Sequence, residues 1–111
     1  LEEREGGVVA MTRDLFLEVV ELLDSESRRD LAFTVQFLIG EALGEIASRG
    51  LEEYGVDRVV VSGGAAVNEI LIEGIKRAVG DRGRILRPKG LPVGDGGIAV
   101  GQALIGYFST K

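Results

Sequence analysis

The chain of 111 residues has no cysteine, no histidine and no tryptophan, and only two prolines. Without cysteine there is no disulfide and no thiol chemistry, which is compatible with a cytoplasmic location. Without histidine or cysteine, the chain cannot assemble a closed zinc site or a Ser-His-Asp triad from its own residues. A metal would need carboxylates, or ligands from elsewhere. No uninterrupted apolar run reaches the length that spans a bilayer, and no signal-peptide pattern opens the chain, so no membrane partner is expected. Positive charge is also scarce: 13 Lys and Arg stand against 18 Asp and Glu, for a net charge of −5, and the basic residues are scattered. That argues against a broad nucleic-acid footprint and leaves room for contact with a single nucleotide.

What is present is apolar and small. Hydrophobic residues make up 45% of the chain and there are 17 glycines. A real core is within reach, and the length suits one domain, or one domain fragment, over residues 1–111. The first residue is Leu, which fits a piece of a longer protein.

The opening "LEEREGG" reads as a polar lead-in, and "GVVAM" (7–11) as a short strand or an extended segment. Thr12 is a candidate N-cap for a helix over 13–24, where Leu15, Phe16, Val19, Val20, Leu22 and Leu23 recur at helical spacing. Ser27 is placed to cap a second, long helix over 28–54, which Gly55 would end in the left-handed conformation. Gly40 and Gly44 lie four apart on one face of that helix, a sign of close packing against another backbone; Gly50 is a candidate break. "DRVVVSG" (57–63) reads as a buried strand and residues 66–79 as a helix. "GRILRP" (83–88) reads as a second strand, and the apolar residues from Ile98 to Phe108 as a last helix. The order predicts an α/β fold with a helix pair followed by a parallel βαβ unit. Two strands make a thin sheet, so further strands are expected from 7–11, from a partner, or from sequence outside the chain.

Two glycine-rich loops follow the two strands. In "VSGGAAVN" (61–68), Gly63 and Gly64 form either a plain tight turn or an opening where a phosphate approaches the backbone, with Asn68 in the first turn of the helix. No Lys-Ser/Thr follows at P-loop spacing. In "PVGDGGIAVGQA" (92–103), Asp95 is either an N-cap or an exposed carboxylate for a metal or phosphate. Both loops belong at the same end of adjacent parallel strands, which favours the functional reading of each.

The combined pattern "VVVSGGAAVNEILIEGI" (59–75) and "RPKGLPVGDGGIAVGQAL" (87–104) resembles the C-terminal end of HypF carbamoyltransferases of [NiFe]-hydrogenase maturation. That last domain is similar to the tRNA threonylcarbamoyl transferases of the actin and sugar-kinase superfamily. The resemblance is strongest over 57–106 and weaker over the helices at 13–54. It implies the C-terminal portion of an actin-like (ribonuclease H-like) ATPase domain. It places Gly63 and Gly64 against nucleotide phosphates, Asn68 at the close of that loop, and Asp95 in a metal site whose two His ligands lie earlier in the domain. The implied cofactors are ATP and a divalent metal. The implied partners are the rest of a HypF chain and a HypE-like protein whose C-terminal Cys accepts the carbamoyl group. In isolation the chain is expected to be inactive and to self-associate. Gln36, in "DLAFTVQ" (30–36), departs from the His usual in HypF and matches the tRNA-modifying relatives; the DGGIxxGQ ending favours HypF.

Overall fold

The computed structural model describes residues 1–110. Its elements are β1 (Glu2–Arg4), β2 (Gly7–Val9), α1 (Thr12–Leu22), α2 (Arg28–Tyr54), β3 (Arg58–Val60), α3 (Glu69–Val79), β4 (Arg84–Leu86) and α4 (Gly96–Ser109). Single 3-10 turns cover Gly64–Val67 and Gly80–Arg82.

The parallel βαβ unit forms as the sequence predicts, but its first strand, β3, is shorter than 57–63 and not buried: within it only Val59 turns toward the core, and Val60 is 67% exposed on the uncovered face of the sheet. Strands β3 and β4 are parallel, with Arg58 opposite Arg84, Val59 opposite Ile85 and Val60 opposite Leu86. Helix α3 lies between them in sequence and packs its apolar face into the core. That core is Leu51, Ile72, Ile75 and Val79, joined by Ala47, Val59, Val61, Leu71 and Ile85.

The dominant contact is α2 against α3, and glycine makes it possible. A Cβ on Gly40 would collide with the Leu71 carbonyl and lie 3.1 Å from the Gly74 Cα. A Cβ on Gly44 would lie 2.7 Å from the Ile75 oxygen, and one on Gly74 would run into the Phe37 carbonyl. The two backbones therefore touch, as the Gly40–Gly44 spacing predicts. Ser48, fully buried one turn further on, donates to the Ala78 carbonyl at 3.3 Å.

Several boundaries differ from the sequence reading. The lead-in is structured: β1 pairs antiparallel with β2 through a two-residue turn in which Gly6 takes a φ of 97°, a conformation glycine reaches without strain. Residues 7–9 are thus a strand, but they pair with 2–4 and add nothing to the β3–β4 sheet, which stays two-stranded. Thr12 is the first helical residue; Met11 occupies the cap position, and its side chain makes no capping hydrogen bond. Helix α1 ends at Leu22, where a turn takes over with Ser25 N–H donating to the Leu22 carbonyl. Gly50 does not break α2, because a residue with helical neighbours on both sides loses only about 1 kcal/mol by being glycine. Ser27 and Gly55 act as predicted: the Ser27 side chain accepts from Asp30 N–H, and Gly55 ends the helix at φ 62° and ψ 34°.

By length and composition alone α2 is also long and apolar enough to cross a bilayer, which the count of uninterrupted apolar residues missed. In the fold its middle carries Glu41 and Glu45, paired with Arg77 of α3 and with Arg82. It serves here as the packing helix of the βαβ unit.

Candidate functional site

The two glycine loops meet. Gly63 N–H donates to the Val93 carbonyl, and the Ser62 hydroxyl donates to the same oxygen at 3.2 Å. A Cβ on Gly94 would lie 3.7 Å from the Gly64 Cα. The crest formed by Gly64, Gly94 and Asp95 therefore stands at one end of the parallel strand pair, where an open α/β sheet binds its ligands.

Each candidate residue has a distinct local cause. Gly63 sits at φ 105° and ψ 170°, a region that is essentially reserved for glycine. It lets the chain leave β3 sharply into the 3-10 turn. Its N–H is committed to Val93, so it does not face a ligand with a free donor. Gly64 has an ordinary backbone conformation, is exposed, and has nothing within 4 Å of where a Cβ would be. It opens the turn, the position whose N–H lacks a partner within the turn itself.

Asn68 does not lie in the first helical turn, as the periodicity over 66–79 predicts. The run of helical spacing conceals a joint: a 3-10 turn over Gly64–Val67, then Asn68 extended at φ −81° and ψ 104°, then α3. Asn68 is the N-cap of α3, its Oδ1 accepting from Ile70 N–H at 3.0 Å and Leu71 N–H at 3.3 Å. Its Nδ2 donates to Gln36 Oε1 on α2.

Asp95 occupies the cap position of α4, but its φ of −57° and ψ of −27° are already helical and its carboxylate accepts no backbone N–H. The side-chain capping reading is thereby corrected: the carboxylate is exposed and uncommitted to the helix. The glycines after it serve packing, since a Cβ on Gly97 would lie 2.7 Å from the Pro92 carbonyl. No group of three or more Asp, Glu, His or Cys side chains gathers around a metal position among the described residues. Asp95 alone does not make a metal centre; it can contribute one ligand to one.

Two contributors escaped the sequence reading. Arg87 reaches from the end of β4 to the Ala66 carbonyl at 2.7 Å and to the Glu69 carboxylate at 2.9 Å, tying the first loop to the second strand. Arginine after a strand carries no such signal by itself. Ser62 is the other, its hydroxyl spent on Val93.

Comparison with known proteins decides what this arrangement belongs to. The family described as "Carbamoyltransferase, Kae1-like Domain, second subdomain" matches residues 2–102. The chain belongs to that family. Similar proteins include the probable carbamoyltransferase HypF of Methanocaldococcus jannaschii, 26% identical over 101 residues, covering 90% of this chain and 13% of that protein. The carbamoyltransferase HypF of Rhizobium leguminosarum bv. viciae is 39% identical over 61 residues, covering 54% of this chain and 8% of its own length. A tRNA N6-adenosine threonylcarbamoyltransferase of Bordetella petrii is 40% identical over 57 residues, covering 51% of this chain and 16% of that one. Among solved structures, T. kodakarensis HypF superposes with a TM-score of 0.75 at 31% identity, covering 87% of this chain and 13% of that chain. The chain thus corresponds to a Kae1-like C-terminal portion of HypF and spans about an eighth of the length of the HypF chains that match most of it. The α/β unit, with both glycine loops, is part of this carbamoyltransferase family's fold.

Proposed function

We propose that this chain forms one wall of the carbamoyl-transfer cleft of a HypF-type enzyme with an actin-like, ribonuclease H-like ATPase fold. The observation that supports it most is the junction of the two glycine loops, Gly63 bonded to Val93 and Gly64 against Gly94, in a chain of this family. In this reading the glycine loop 63–68 takes the phosphate of a nucleotide, with Gly64 offering the closest backbone approach and Asn68 closing the loop. Asp95 supplies one ligand to a divalent metal whose other ligands lie outside this chain.

The reaction is transfer of a carbamoyl group derived from carbamoyl phosphate and carried as carbamoyl adenylate made with ATP. The acceptor is a C-terminal Cys of a HypE-like partner in [NiFe]-hydrogenase maturation. The thiolate attacks the carbamoyl carbon, a C–S bond forms as the C–O bond to AMP breaks, and AMP leaves. Such a step depends on holding the phosphate and the reacting carbon from both sides of a cleft. This chain contributes backbone donors and contour on one side. It contains no nucleophile for the step, and the acceptor supplies it. In this first reading the setting is cytoplasmic, and neither a membrane nor a nucleic acid is a partner.

The 40% identity to a tRNA threonylcarbamoyltransferase, together with Gln36, supports a second reading in which the acceptor is a tRNA adenosine. The two readings differ in the group transferred, carbamoyl or threonylcarbamoyl, and in its acceptor. The test uses the full-length enzyme that contains this chain, with isotope-labelled carbamoyl phosphate and ATP. Label on the C-terminal Cys of a HypE-like protein, lost in Gly64→Val, supports the first reading. A parallel assay supplies labelled threonylcarbamoyl adenylate, from which AMP can leave, and label that appears only on tRNA, with none on the Cys, establishes the second. Label on neither acceptor overturns both.

A further inference from the structure

Gln36 and Asn68 are brought together from 32 residues apart, and their amides are polarised in only one way. Ile70 and Leu71 N–H can only donate, so the Asn68 atom that meets them at 3.0 and 3.3 Å is its carbonyl oxygen. The opposite end of that amide is then Nδ2, a donor, and it faces Gln36. Gln36 must answer with Oε1, which turns its Nε2 to the Ala32 carbonyl at 2.9 Å. Each choice forces the next. The relay is anchored at one end on the main chain of α2 and at the other on the first turn of α3.

Its midpoint is the joint behind the glycine loop. Asn68 separates the 3-10 turn that begins at Gly64 from the helix that begins at Glu69. If the amide rotated, two N–H groups would lose their acceptor and the start of α3 would fray. The Gly64–Val67 turn is bonded to the same residue, through Asn68 N–H to the Ala65 carbonyl at 3.0 Å. Holding the amide therefore also holds the turn.

We propose that Gln36 is a positioning residue for the glycine loop, acting on it through the side-chain amide of Asn68, and that Asn68 serves the shape of the loop instead of contacting the phosphate. The proposal rests on the reading of loop 63–68 as nucleotide-facing and assigns the two residues roles within it. Gln36 touches no ligand. It sets where the Gly64 backbone sits.

The experiment uses the full-length enzyme with Gln36→Met, Gln36→Glu, Asn68→Ala and the Met/Ala double variant. The first readout is amide hydrogen exchange over residues 69–72 without ligand. Gln36→Met should speed it about tenfold, the scale of one lost hydrogen bond. Gln36→Glu, which keeps an acceptor for Asn68, should restore slow exchange. The second readout is the ATP dissociation constant. Gln36→Met and Asn68→Ala should each weaken binding by roughly 3- to 10-fold, on the same scale, and the double variant should be no weaker than Asn68→Ala alone. Unchanged exchange in Gln36→Met overturns the relay. Losses of affinity that multiply in the double variant overturn the role given to Asn68, because they mean that it meets the nucleotide independently. If Gly64→Val leaves ATP affinity untouched, the nucleotide reading itself fails, and the exchange measurement still judges the relay.

Discussion

Gly63 and Gly64 are neighbours with opposite tolerances. A side chain at Gly63 meets no atom but forces a backbone at φ 105° that L residues rarely adopt, so Gly63→Ala should cost about 1–3 kcal/mol of stability. At Gly64 the backbone is ordinary and the space open, so Gly64→Val should leave the melting temperature of the full-length enzyme almost unchanged. Its ATP dissociation constant should nevertheless rise at least about tenfold, the equivalent of about 1.4 kcal/mol of lost phosphate contact. A large drop in melting temperature together with normal ATP affinity would reverse that assignment. Asp95→Asn gives a similar contrast. The carboxylate caps nothing, so thermal stability should hold, while metal content and carbamoyl transfer fall if it is a ligand. Normal metal content and turnover would leave Asp95 with no role in the site. Much of this site is legible in the sequence, because glycine pairs at the end of a β-branched run mark a backbone that must turn sharply or be approached closely. The role of Asn68 is not, since its cap geometry hides inside an unbroken helical period. Neither is the bond from Asn68 to Gln36, which depends on two helices that only tertiary packing brings together.

Glycines in helices divide by what they face. Gly40, Gly44 and Gly74 are each filled by a carbonyl of the opposing helix, and Gly50 faces open space in the same α2. Gly44→Ala should therefore destabilise the fold by about 1–3 kcal/mol through overpacking. Gly50→Ala should stabilise it by about 0.5–1 kcal/mol through better helix propensity. Chemical denaturation of both variants checks the pair, and equal effects of the same sign would mean that the α2–α3 contact is looser than described. At this scale the elements of the βαβ unit follow from periodicity and β-branching. The N-terminal hairpin does not, because Glu2–Arg4 has neither apolar alternation nor strand propensity and is held by pairing with β2, with ties from Glu3 to Arg49 at 3.0 Å and from Arg4 to Met11 Sδ at 3.9 Å. Its strands close on each other and leave the β3–β4 sheet narrow.

Taken whole, the molecule is elongated, 61 × 30 × 27 Å, with a radius of gyration of 17.2 Å where a compact domain of about 100 residues has about 13 Å. Its accessible surface is 8271 Å², against about 5,900 Å² for a compact monomer of this mass. Much of the excess is apolar: neither α1 nor α4 buries a residue, and Phe16, Ile105 and Phe108 are 66%, 70% and 63% exposed. Surface of this kind seeks cover. The isolated chain should self-associate, seen as a mass above 11.8 kDa by light scattering well above micromolar concentration. It should not carbamoylate a HypE-like Cys by itself, because it supplies only one side of the proposed cleft. A persistent monomer would contradict the first expectation, and transfer by the purified chain the second. The glycine contact between α2 and α3 has one more effect at this scale. Backbones that touch have no side-chain layer to compress, so the two helices mesh like a key in its ward. Rotating α2 by one residue, about 100°, would bring Glu41 to the place of Gly40 and drive a side chain into the Leu71 carbonyl. The seat is all or none, with no neighbouring register to slip into. The glycine loop that α3 carries is thus either delivered to its one position or not delivered at all.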